Sequence, residues 1–290
     1  MNIIINHRIF FPITFVGICF GLFSGFRNSK PTPFKKSENA DKGPFIKWEN
    51  NQLTISGENM PGKEMNILYL EAFCKTGSTS RAWDSTIIPH KTTLVSAHEN
   101  GKHIILKTIV QPDIEVIHDI KAENDNVDFK LALTNKGNQS EDIDWFQPCI
   151  RVDPFTNRAQ DDYIFRCFIF TKNGLTTLDK TVRTHNGYYK GGQTYVPPGI
   201  NLNDVNPRPI SPDLPVNGLI GCISDDNKYI MATAWDHYQE LFQGIFVCIH
   251  SDPRVGGLKP GEVKHLHGKI YFLKNDPKEL LKRYNMDFPN

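Results

Sequence analysis

From Phe45 onward, apolar residues recur at every second position between short clusters of turn residues, the period of a half-buried β-strand. Val127, Phe129, Leu131 and Leu133 alternate with Asp128, Lys130, Ala132 and Thr134, and Asn135 to Asn138 close the run as a turn. Ile114, Val116, His118 and Ile120 repeat the pattern just upstream, so Ile114 to Thr134 predicts a hairpin around Glu123 to Asn126. Further strands are predicted at Gln52 to Ser56, Asn66 to Phe73, Thr92 to Ala97, His103 to Val110, Trp145 to Val152, Tyr163 to Phe170, Leu219 to Ser224, Tyr229 to Trp235, Gly244 to His250 and Val263 to Leu273. Only the C-terminal end has a convincing helix signature: Asp276 as N-cap, Pro277 and Glu279 in the first turn, then Leu280, Leu281, Tyr284 and Phe288 as an apolar stripe. Many short strands and one C-terminal helix predict an all-β sandwich in a single domain over residues 44–290. His185 to Gly218 interrupts it with six Pro and five Gly, a segment too long for a neutral connection and predicted to be functional.

The N-terminus breaks the strand pattern. Ile9 to Phe23 form an apolar run behind Arg8, and Ser24 and Gly25 precede the polar stretch Arg27 to Lys42. This predicts a signal peptide over residues 1–25, a linker over residues 26–43, and a secreted or periplasmic protein. A membrane-spanning helix needs about 20 apolar residues, and Pro12 weakens a run already short of that. An uncleaved leader is therefore the alternative, and it is the one membrane contact the sequence offers. Lipidation at Cys19 is disfavoured by the bulky Ile18 before it.

Composition narrows the function. A hydrophobic content of 39% excludes a disordered chain, and a net charge of +1 supplies no field to hold nucleic acid. Six cysteines without a C-x-x-C pair are too few for a disulfide scaffold. Cys74, Cys149, Cys167, Cys222 and Cys248 mostly lie in apolar runs and read as buried thiols, with one disulfide left open. No G-x-S-x-G elbow or phosphate loop occurs, which argues against serine hydrolase and nucleotide chemistry.

Aromatic and planar polar residues gather in several segments: Arg81-Ala-Trp83-Asp84, Trp145-Phe-Gln147-Pro, Tyr188-Tyr189, and Trp235-Asp-His-Tyr-Gln-Glu240. Flat rings cover the C–H face of a sugar, and planar polar groups satisfy its hydroxyls, so this mixture points to a saccharide or glycan partner. The structural alternative for Trp83, Trp145 and Trp235 is the core of the sandwich. Acid–base work needs two titratable groups on one cleft, and the richest supply runs from Asp236 to Arg254. His250 and Glu240 are the candidate catalytic pair. Glu71, Arg81, Trp83, Gln147, Arg151, Tyr189, Trp235, Asp252 and Arg254 are the candidate binding residues. Asp252 reads equally as the cap of an Asp-Pro turn, and Glu71 as a residue on the wet face of its strand. His265 and His267 share one strand face with Cα atoms roughly 6.5 to 7 Å apart, close enough to share a metal. No third ligand is placed beside them, so neither a metal nor a cofactor is predicted.

Leu68 to Trp83, Ile88 to Thr92, Trp145 to Val152, Asn206 to Cys222 and Ala234 to Glu262 together resemble a family of secreted bacterial proteins of unassigned function. That likeness implies export and a co-linear domain, without a catalytic assignment. The strand-rich layout, with the Leu258 to Glu262 turn before a final strand, also resembles the galactose-mutarotase-like supersandwich of aldose epimerases, glycoside hydrolases and polysaccharide lyases. This second resemblance implies a concave saccharide-binding face and His and Glu as acid and base. The expected function is thus a secreted carbohydrate-binding or carbohydrate-processing protein. The alternative is a non-catalytic cell-envelope interaction module.

Overall fold

The computed structural model describes residues 43–58 and 60–289. The predicted leader and nearly all of the predicted linker lie outside the described residues. Sixteen strands follow in chain order: β1 (Phe45–Glu49), β2 (Gln52–Ser56), β3 (Glu64–Cys74), β4 (His90–Ala97), β5 (His103–Val110), β6 (Ile114–Ala122), β7 (Asn126–Asn135), β8 (Trp145–Arg151), β9 (Cys167–Thr171), β10 (Gly174–Thr177), β11 (Gln193–Tyr195), β12 (Ile220–Ile223), β13 (Tyr229–Trp235), β14 (Tyr238–Gln243), β15 (Cys248–Pro253) and β16 (Val263–Lys274). They form a seven-stranded sheet, β1-β2-β3-β8-β15-β14-β11, and a nine-stranded sheet, β10-β9-β12-β13-β16-β7-β6-β5-β4. The all-β sandwich expected from the alternation is therefore what the chain adopts.

The two sheets face each other across one core. Ile67, Tyr69, Phe73, Phe146, Ile150, Leu241 and Ile249 reach in from the smaller sheet to meet Leu106, Val116, Phe129, Leu131, Met231 and Leu266 from the larger. The predicted hairpin forms as β6 and β7, with Val116 opposite Leu133 and His118 opposite Leu131. The predicted helix also forms: α1 (Trp83–Thr86) and α2 (Asp153–Thr156) are single turns, whereas α3 spans Pro277–Asp287. Asp276 caps α3 by accepting from the backbone N–H groups of Lys278 at 2.9 Å and Glu279 at 3.2 Å. Leu280 and Phe288 then pack with Phe168, Phe170, Ile230 and Tyr271, covering the outer face of the larger sheet.

Because α3 covers that face, β13 is buried on both sides: Met231 and Trp235 point into the inter-sheet core, and Ile230, Ala232 and Ala234 point toward the helix side. Strand β14 falls where the sequence reads as a loop. Its alternation is masked because Gln239, Glu240 and Phe242 on either side of the core residue Leu241 are buried as well. Asp236 and His237 form the corner at which the chain leaves one sheet for the other.

Candidate active site

The outer face of the seven-stranded sheet carries the chemistry. Strands β3, β8, β15 and β14 lie side by side there, and residues two apart on each strand share that face. Glu240 lies directly opposite Asp252, and Phe242 opposite His250. Cys248 is opposite Arg151, and the Trp145–Arg254 bridge keeps the same register. That register sets Cys149 across from His250 and Gln147 across from Asp252. Strand β3 slips by two residues between Leu68 and Ala72, and this bulge carries Glu71 into the same row.

The long segment 185–218 folds back over this face. Its strand β11 pairs with β14, and the backbone N–H of Asn206 donates to Glu240 Oε1 at 3.0 Å. Gln239 Nε2 donates to the Asp204 carbonyl, and the Gly77 N–H to the Asp204 carboxylate at 2.6 Å. Helix α1 completes the roof, where the Trp83 N–H donates to the Tyr189 hydroxyl at 3.0 Å. Arg208 lies over the Tyr189 ring, 5.0 Å from its centroid. These parts enclose a cavity of about 250 Å³ lined by Glu71, Trp83, Gln147, Cys149, Tyr189, Asn206, Arg208, Phe242, Gly244, Ile245, Phe246, Cys248 and His250.

Its floor departs from ordinary packing. His250 is 1% exposed, yet neither ring nitrogen makes a hydrogen bond. Both oxygens of the fully buried Asp252 are also unpartnered, as is Glu240 Oε2. Buried polar groups are nearly always paired, and leaving one unpaired costs about 1 to 3 kcal/mol, so this concentration marks a place built for something other than stability. His250 Nδ1 lies 3.6 Å from Asp252 Oδ1. Burial pushes the Glu240 carboxyl well above the usual range, and the facing Asp252 pushes it further. Burial also raises Asp252 to about 6, against the pull of His250. Asp144, buried behind them and bonded to Gln239, is raised by burial to about 6 against the pull of Arg254. On His250 burial opposes the charged form, but Cys248 and Asp252 outweigh it and raise the imidazole well above its ordinary value.

The structure brings together Glu71, Trp83, Gln147, Tyr189 and His250 in the cavity lining, with Glu240 and Asp252 directly behind. Arg151 stands beside the lining, across from Cys248, with Nε 3.6 Å from Asp153 Oδ1. Three expectations need correction. Trp235 is core: its ring packs on Phe129 and Phe146, and Gly268 leaves it room, since a Cβ there would meet the indole at 2.5 Å. Arg81 turns back on its own loop, donating to the carbonyls of Thr76, Gly77 and Ser85. Arg254 donates to Gln239 and lines a separate hollow with Lys264 and His265. His267 Nε2 meets Asp128 at 2.7 Å, which engages one of the two histidines considered for a metal. Sequence reasoning missed Cys149, Cys248, Asn206 and Arg208. The Cys248-x-His250 spacing on one strand was a usable signal; the strand neighbour that brings Cys149 beside them was not.

No protein-family model and no curated protein matches the chain, so the resemblance to secreted bacterial proteins rests on the segments quoted above. Among solved structures, the chain is similar to the Slr1438 protein from Synechocystis sp. PCC 6803, at 8% identity and a TM-score of 0.45 over 79% of this chain and 95% of that one. It is also similar to a galactose mutarotase related enzyme from Lactobacillus acidophilus, at 10% identity and a TM-score of 0.42 over 79% and 97%. A galactose mutarotase-like protein from Lactobacillus casei gives 10% identity and a TM-score of 0.41 over 79% and 100%. At these values the fold assignment rests on the chain's own two sheets, and no activity is transferred.

Proposed function

We propose that this chain is an exported saccharide-binding protein whose ligand occupies the cavity over β8 and β15, and that His250 transfers protons there. One observation carries the reading: Trp83, Tyr189, Glu71, Gln147, Arg208 and His250 line a single cavity. Rings for the C–H face of a sugar and planar polar groups for its hydroxyls are what a pyranose requires of a site. His250 opens on the cavity, whereas Glu240 lies behind it. Glu240 therefore acts as the second acid–base group through Asp252, which faces Glu240 across the strands and His250 along its own. Arg151 at the margin would steady an anionic substituent. Trp235, Arg81 and Arg254 take no part.

A glycan array followed by product analysis tests the proposal. Wild-type protein should retain a glycan. If it turns that glycan over, His250→Ala and Glu240→Gln should each lower the rate by about 10² to 10⁴. Binding without turnover would favour the non-catalytic cell-envelope module. Failure to bind any glycan would remove the saccharide reading. N-terminal sequencing of the exported protein would test cleavage near Gly25.

A further inference from the structure

Cys149 and Cys248 stand beside His250 as a three-donor cluster, of which the acid–base chemistry above uses the histidine alone. Each offers one ligand atom, and the three atoms lie within 4.8 Å of one another. All three residues are buried and all three line the cavity. We propose that they are a zinc(II) site, with two sulfur ligands and one nitrogen and a fourth position opening on the cavity.

The geometry is close to what the ion needs. With Zn–S near 2.3 Å and Zn–N near 2.0 to 2.1 Å, tetrahedral ligand atoms lie about 3.5 to 3.8 Å apart. Contracting the present set to that spacing takes small side-chain rotations on fixed strands. The strands supply the rigidity: Cys248 and His250 are two apart on β15, and Cys149 is held on the adjacent β8. A further observation points to a ligand. Neither nitrogen of His250 makes a hydrogen bond inside the protein, although its side chain is buried, and Asp252 Oδ1 lies 3.6 Å from Nδ1, where it could orient the ring of a metal-bound histidine.

Charge and donor type together favour zinc. Two thiolates and a neutral imidazole carry −2, so a divalent ion yields a neutral complex in a buried site whereas copper(I) would leave a net negative charge, and a tetrahedral sulfur–nitrogen donor set is the one zinc(II) takes among divalent ions. Three protein ligands with one open position is the arrangement of catalytic rather than structural zinc sites.

The inference goes beyond the saccharide reading and stands without it, although both use His250. With the ion bound, His250 is a ligand and no longer the proton-transfer group of that reading. The test is a zinc titration of the reduced full-length protein against a chromogenic chelator, with cobalt(II) substitution to read sulfur ligation from its charge-transfer absorption. One equivalent should bind. Cys149→Ser, Cys248→Ser and His250→Ala should each weaken binding on the order of 100-fold or more, and Asp252→Asn by about 10- to 100-fold. Cys74→Ser, a buried control, should bind as wild type does, and circular dichroism should show every variant folded. Wild-type protein that binds no zinc, unchanged affinity in both serine variants, a Cys149–Cys248 disulfide that re-forms in the presence of zinc, or binding of copper(I) alone would each overturn the proposal. Zinc binding in a protein that retains no glycan would keep this inference and remove the saccharide reading.

Discussion

Two buried histidines, one between the sheets and one on the outer face of the seven-stranded sheet, meet opposite fates. His118 on β6 is fully enclosed, and both nitrogens are engaged: Nδ1 with the Tyr69 hydroxyl at 3.0 Å and Nε2 with Thr108 Oγ1 at 2.9 Å. His250 on β15 is equally buried and makes no hydrogen bond on either nitrogen, with Asp252 Oδ1 3.6 Å from Nδ1. The first is a structural residue whose polarity the fold absorbs. The second lies under a cavity beside two thiols and two carboxylates, and the fold leaves its hydrogen-bonding capacity free for a ligand. Burial alone does not distinguish function from packing; satisfaction of the polar atoms does.

The tryptophans repeat this contrast and give the largest expected effect. Trp235→Ala removes an indole from between Phe129 and Phe146 and should cost about 3 to 5 kcal/mol in denaturant unfolding, with ligand binding changed only through the fold. Trp83→Ala should behave inversely, losing ligand affinity while costing less in stability, because Trp83 lies half-buried in the cavity roof. A stability loss at Trp83 equal to that at Trp235 would erase the distinction.

Next in size are the histidines themselves. His118→Ala leaves the buried Tyr69 hydroxyl without its partner and the Thr108 hydroxyl with Thr92 alone, and should destabilise by about 2 to 3 kcal/mol. His250→Ala removes no hydrogen bond and should destabilise less than His118→Ala does, while removing ligand binding. Equal destabilisation by the two variants would mean that His250 is an ordinary core residue.

A smaller effect follows from pH. Burial lowers the His118 pKa to about 3, so the folded protein keeps it neutral, while the unfolded chain takes up a proton below about 6.5. Its contribution is fully present above the unfolded value and is lost progressively as pH falls toward 3, at up to about 1.4 kcal/mol per pH unit. His118→Gln should flatten the acid limb of the stability curve by that slope, measured by unfolding at pH 4, 5 and 6 (about one-unit steps). An unchanged limb would show that His118 is not the group that titrates.

Much of the architecture was legible because one buried face leaves a period of two in the sequence, as along β6 and β7, and because Asp276 and Pro277 announce α3. Strand β14 was hidden because both of its faces are covered, and covering by α3 also let Trp235 read as a ligand platform. The site was legible only along a strand: His250 and Asp252 share a face at a spacing of two, and Cys248 extends the row. What joins that row to Cys149 is the pairing of β8 with β15, a contact between distant segments that no local pattern encodes. Arg81 and Arg208 show the same limit in loops. One folds back on carbonyls of its own turn, and the other reaches the cavity along a segment whose path is set by the sheet beneath it.

Ring-nitrogen spectra of ¹⁵N-histidine-labelled protein test the central distinction most directly, recorded before and after addition of zinc and, separately, of the glycan selected by the array. The account predicts that zinc shifts the His250 nitrogens, that the glycan perturbs them, and that His118 keeps its resonances throughout. His250 resonances indifferent to both ligands would contradict it.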